Sequence, residues 1–147
     1  MKSFKALLVV CLLLFALQAH ATCTLLNPGN ISKPRVLQCT NDWTSAAGGG
    51  ATTTVIVTTA AAKVVKIETV PGALGDLTTD LPDADYDITI TDGYSFDIAA
   101  GGLANRSGTV AEAVYPSSAI YITGTLTLNV AAAGAANSGR TIVTLEE

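Results

Sequence analysis

Between Tyr86 and Thr91 the chain alternates: Tyr86, Ile88 and Ile90 are apolar, while Asp87, Thr89 and Thr91 are polar. A period of two puts the first set on one face of an extended chain and the second on the other, so this stretch predicts a half-buried strand. The alternation returns at Leu126, Leu128 and Val130, with Thr125, Thr127 and Asn129 facing outward. Segments rich in β-branched residues predict further strands: VLQCTNDW from Val36, TTTVIVTT from Thr52, KVVKIETV from Lys63 and GRTIVTLE from Gly139. TVAEAVYP and the start of AIYITGTLTLNVA supply shorter ones. No stretch of useful length repeats at helical spacing, and the alanine runs at Ala60 and Ala131 are short and lie close to glycine. Short strands separated by Gly-rich turns predict an all-β fold, an antiparallel β-sandwich or jelly-roll-like domain of about eight strands.

The turns sharpen this picture. SAAGGGA separates the first two predicted strands, and Pro71-Gly72 stops the third. Asp92-Gly93 is a dipeptide favoured in tight hairpins, so YSFDI is expected to fold back on the Tyr86–Thr91 strand. AAGGLANRSG then reads as a loop tip with Asn105 and Arg106 turned outward as a surface contact pair. Pro28, Gly29 and Pro34 make TLLNPGNISKPR an irregular arm. Trp43 reads as a core residue.

The start of the chain changes the inventory. MKSFK is basic, ALLVVCLLLFAL is apolar but short for a bilayer span, and AHA ends at Ala21 with the small residues that a signal peptidase needs. Residues 1–21 are therefore expected to be a signal peptide that leaves a secreted or periplasmic chain starting at Thr22. Its removal takes away the sole histidine, His20, together with Cys11. Losing Lys2 and Lys5 also moves the net charge from −4 to −6. An acidic chain repels phosphate backbones, which argues against nucleic acid as a partner. Nothing basic and amphipathic remains after cleavage to hold a membrane. Cys23 and Cys39 are left as a pair in an oxidising compartment, where a disulfide is expected. The organisation that follows is a leader at 1–21, a disulfide-closed arm at 22–42 and a sandwich domain at 43–147.

Without a mature histidine, Ser-His-Asp and Cys-His catalysis and histidine-ligated zinc have no residues to use. The acids gather in one loop and aromatics are few, which does not suit two-carboxylate glycoside hydrolysis. A non-enzymatic protein without a resident cofactor is expected. Asp80, Asp83, Asp85 and Asp87 offer hard oxygens at short spacing, as calcium would require. They lack the glycine and closing glutamate of an EF-hand loop, so the pattern reads as a solvated acidic loop, with calcium as the alternative. Asn30-Ile31-Ser32 and Asn105-Arg106-Ser107 fit the glycosylation acceptor pattern.

In the middle and at the end of the chain, DYDITITD, AAGGLANRS, EAVYP, GTLTLNVAAAGAANSG and TIVTL follow one another in an order that resembles a group of small tailed-phage and prophage virion structural proteins. The resemblance covers roughly Trp43 to Leu145. Its motifs are strands and turns, so it implies a fold and a lineage and transfers no catalytic residue. Such virion proteins usually lack an export leader and the Cys23–Cys39 segment, so the resemblance implies a surface or assembly role, with protein partners and a homo-oligomer or larger array. Two other readings stand beside it. One is an exported pilin-like or coat subunit that forms homopolymers. The other is a carbohydrate- or calcium-binding module, which would need Tyr94, Tyr115 or Tyr121 to be exposed.

Overall fold

The computed structural model describes residues 21–27, 34–56 and 61–147. The leader region at 1–20, the Asn30 acceptor site and the last residues of the predicted TTTVIVTT strand lie outside the described residues. No helix among the described residues is long and apolar enough to cross a membrane. Among the described residues nine strands form two antiparallel sheets, which makes the fold a β-sandwich as the alternation requires. The strands are β1 (Ala21–Leu25), β2 (Val36–Thr44), β3 (Ala51–Ile56), β4 (Ala62–Pro71), β5 (Asp87–Thr91), β6 (Glu112–Val114), β7 (Tyr121–Ile122), β8 (Thr125–Ala131) and β9 (Ser138–Glu146). The larger sheet runs β1-β2-β9-β4-β6, with β7 paired to β4 beyond β6, and the smaller runs β3-β8-β5. The division is thus six strands against three, not the even halves of a jelly roll.

The two inner faces supply the core. Leu37, Cys39, Trp43, Val64, Ile67, Val143 and Leu145 come from the larger sheet, and Ile88, Ile90, Leu126, Leu128 and Val130 from the smaller. Each is buried, and full burial of a Val, Leu or Ile side chain contributes about 1.5–3 kcal/mol. Trp43 meets Tyr86 with ring centroids 5.6 Å apart and planes tilted by 51°. Asn41, Thr141 and Thr69 lie side by side on β2, β9 and β4 and add a buried polar row. Asn41 Nδ2 donates across the sandwich to Thr53 Oγ1 at 2.7 Å, tying the two sheets together.

Three expectations need correction. The arm is not irregular at its start: residues 21–25 form β1, in register with Leu37–Asn41. A disulfide joins Cys23 to Cys39, which are directly opposed with Cα atoms 3.9 Å apart, so the cross-link pins a strand pair. β2 spans position 42 and pairs with β9 along its whole length, so arm and sandwich share one sheet. Next, YSFDI does not form a second strand. Asp92 Oδ1 accepts hydrogen bonds from the amides of Tyr94 and Phe96, both at 2.9 Å, and closes a wider turn. Ser95, not Asp92-Gly93, takes the positive φ, at 64°. The chain still folds back, with Thr91 bridged to Asp97 and the Ile98 amide donating to the Ile90 carbonyl at 2.8 Å. Last, Arg106 turns inward. Its guanidinium donates to the Ala104 carbonyl and faces Glu112 at 3.7 Å, leaving the side chain 15% exposed.

Candidate functional site

The register of the smaller sheet decides what its outer face presents. Thr52 lies opposite Asn129, which lies opposite Thr89; Thr54 lies opposite Thr127, which lies opposite Thr91. Because side chains alternate along each strand, Thr52, Thr89, Thr91, Thr127 and Asn129 project away from the core. The spacing is about 4.8 Å between neighbouring strands and about 6.7 Å along each strand, so the face is a regular grid of threonine with one asparagine. Thr52 and Thr125 are exposed, Thr89, Thr91, Thr127 and Asn129 are partly so, and the Thr54 side chain lies outside the described residues. Thr52 Oγ1 donates to Asn129 Oδ1 at 3.1 Å, linking the grid sideways. The charges stand at the β5 margin: Asp97, bridged to Thr91, continues one row and its carboxylate accepts the amides of Ala99 and Gly101, while Asp87 stands one row further on, opposite Ala131, where its Oδ1 accepts the Asn105 amide at 2.8 Å.

The larger sheet is different. Its outer face carries the Arg140–Asp42 ion pair at 2.6 Å, the Lys66–Glu68 pair at 2.8 Å, and Lys63 in register with Glu146. A hydrogen bond from Arg140 to Asp42 and another from Lys66 to Glu68 raise the pKa of the two cations. One sheet therefore turns charge outward and the other turns hydroxyls outward.

The edges differ as well. Along the free side of β5, the Ile88 amide donates to the Leu103 carbonyl at 3.0 Å and the Arg106 amide to the Tyr86 carbonyl at 2.7 Å, so the loop after β5 covers that edge. β3 pairs with β8 alone among the described strands, which leaves its other edge without a partner strand.

The acidic residues do not gather. Among the described residues no group of three His, Cys, Asp or Glu side chains is placed to hold a metal ion. Asp80 and Asp85 stand at positive φ in the loop ahead of β5, the Asp83 amide donates to the Ala133 carbonyl, and Asp87 is engaged by Asn105. Asp76, which the sequence did not single out, accepts from the Thr79 hydroxyl and from the amides of Thr79 and Thr78; these hold its carboxyl well below the usual carboxylate range and fix the turn after β4. Tyr94, Tyr115 and Tyr121 are 90%, 68% and 67% exposed, whereas Tyr86 is fully buried. Burial pushes the Tyr86 phenol up to about 12; its hydroxyl faces Thr69 but neither completes a hydrogen bond. Compared with known protein families, with curated proteins and with solved structures, the chain matches none.

Proposed function

We propose that this chain is an exported, non-enzymatic surface or assembly protein that associates with copies of itself through the outer face of the β3-β8-β5 sheet. The reading agrees with the role implied by the resemblance to virion structural proteins, and equally with a coat subunit. The observation that carries it is the grid of Thr52, Thr89, Thr91, Thr125, Thr127 and Asn129 on a chain whose net charge is −4. A hydroxyl and a carboxamide each donate and accept, so the centre of such a face can meet its own copy about a two-fold axis, with carboxylates only at its β5 margin. The acidic charge elsewhere keeps other approaches apart. The edge of β3 that pairs with no described strand supports the same reading, since an unpaired strand edge is a template for a neighbouring chain. A donor from residues 22–35 would have to include β1, which here pairs with its own β2.

Sedimentation of the mature protein over a wide concentration range tests this, beside a Thr89→Lys/Thr127→Lys variant. Both positions are partly exposed, so each lysine can reach water without unfolding the sheet. Association of the native chain that is lost in the variant, at unchanged melting temperature, is the expected result. A native chain that stays monomeric throughout, or a variant that associates equally well, would refute it.

A further inference from the structure

The two halves of the cystine stand in unequal places. Cys23 lies on β1, an edge strand that pairs with β2 alone among the described strands, and it is exposed. Cys39 lies on β2, between β1 and β9, and is 1% exposed. The two residues sit at the same level of the sheet, directly opposed. What separates them is the cover over each strand. Asn41, the next inward-facing residue of β2, donates to Thr53 on β3, so β3 passes over β2 at this level. Within the sheet Cys39 has Val143 of β9 on one side and Cys23 on the other. Leu37 and Val143 join it in the core; Leu25 is the β1 residue that packs partly against that core, while Thr24 is exposed.

Thiol–disulfide exchange needs access to the sulfur under attack, and the product depends on which sulfur that is. An outside disulfide or thiol reaches residue 23 from the open side of β1, whereas β3, β9 and β1 together keep it from residue 39. Closing the bond then takes two displacements. The Cys23 thiolate attacks one sulfur of an external disulfide and expels the other as a thiolate, leaving a mixed disulfide on β1. With β1 in its register Cys39 is directly opposed; its thiolate attacks the Cys23 sulfur and expels the second external thiolate. The oxidant gains two electrons, and the two cysteine protons end on its two thiols. Opening by an external dithiol runs the same steps backwards, from Cys23 first. β2 is paired with β9 along its whole length whatever β1 does, so neither direction requires the sandwich to unfold.

We propose that Cys23 is the residue through which an external disulfide or dithiol exchanges with the folded chain, and that Cys39 is the buried resolving residue. This assignment is independent of self-association through the smaller sheet. The test uses glutathione disulfide on two single-cysteine forms of the mature chain, read by intact mass. Cys39→Ala, which keeps the Cys23 thiol, should form a one-to-one mixed disulfide under native conditions. Cys23→Ala, which keeps the Cys39 thiol, should react at least about a hundredfold more slowly, because reaction there waits on a local opening. In urea sufficient to unfold both chains the two rates should converge, since the difference belongs to the fold. A third arm needs no substitution: the native, oxidised chain is treated with excess reduced glutathione and quenched with an alkylating agent. Peptide mapping should find glutathione on Cys23 and the alkyl group on Cys39. Equal native rates in the two folded variants, no reaction of Cys23 in folded Cys39→Ala, or glutathione on Cys39 in the native chain would overturn the proposal.

Discussion

Removing the Cys23–Cys39 bond is expected to cost about 3 kcal/mol, the chain-entropy value for a loop of this size. The sequence separation is 16, and the cross-link acts mainly by denying the unfolded chain conformations in which residues 23 and 39 are far apart. The choice of replacement matters, because Cys39 is 1% exposed and packs in the core. Serine there would bury a hydroxyl and add a further cost of about 1–3 kcal/mol, unrelated to the cross-link. Cys23→Ala/Cys39→Ala removes the bond with little else, so it isolates the effect. Urea unfolding gives both readouts: the midpoint should fall, and the slope should steepen because the uncrosslinked unfolded chain exposes more surface. For a domain whose total stability is about 5–15 kcal/mol this is a large fraction, though not enough to abolish folding. If the double variant kept the native midpoint and slope, the bond would be constraining neither state, and the pinned β1–β2 pair would be refuted as a stabilising feature.

Other perturbations test the core and the ends. Folded Tyr86 keeps its proton to about pH 12 while the unfolded phenol loses it near pH 10, so the unfolded state binds fewer protons across that window. This contribution to stability is whole below about pH 10 and fades by about pH 12, amounting to about 2–3 kcal/mol; denaturant midpoints measured across that range should fall in the native chain and fall less in Tyr86→Phe. At neutral pH the same variant should be no less stable, because the deleted hydroxyl has no partner. A Cβ on Gly139 would lie 2.3 Å from Trp43 Cζ2, so Gly139→Ala should cost about 1–3 kcal/mol and shift the emission of Trp43, the sole tryptophan. Exported protein should begin at Thr22 by intact mass, and retention of Met1 would contradict the leader.

What the sequence made legible was periodic. The alternation in β5 and β8 pointed Ile88, Ile90, Leu126, Leu128 and Val130 inward, and all of them are buried. It also turned Thr89, Thr91, Thr125 and Thr127 outward, but not onto the same surface, since register between strands depends on pairings distant in sequence. β1 was hidden because its partner lies across the proline-containing arm, and the cystine marks the contact without revealing a strand. The Asp92 turn misled because a side-chain acceptor can replace the backbone turn that Asp-Gly usually signals. Arg106 was read as exposed from local polarity, whereas Glu112 and the Ala104 carbonyl draw it in. Tyr115 and Tyr121 were named from the sequence but their alignment along β4 was not, because β7 has two residues, too few to show a period, and its place beside β4 is a tertiary fact.

Threonine-methyl NMR of the mature chain during dilution reports directly on self-association through the threonine grid. Thr52, Thr89, Thr91, Thr125 and Thr127 report on the proposed contact, while Thr24 and Thr40, paired with or lying on β2 of the opposite sheet, serve as internal controls. Concentration-dependent shifts confined to the first group are expected. Shifts centred on Thr24 and Thr40, or spectra unchanged at every concentration, would contradict it.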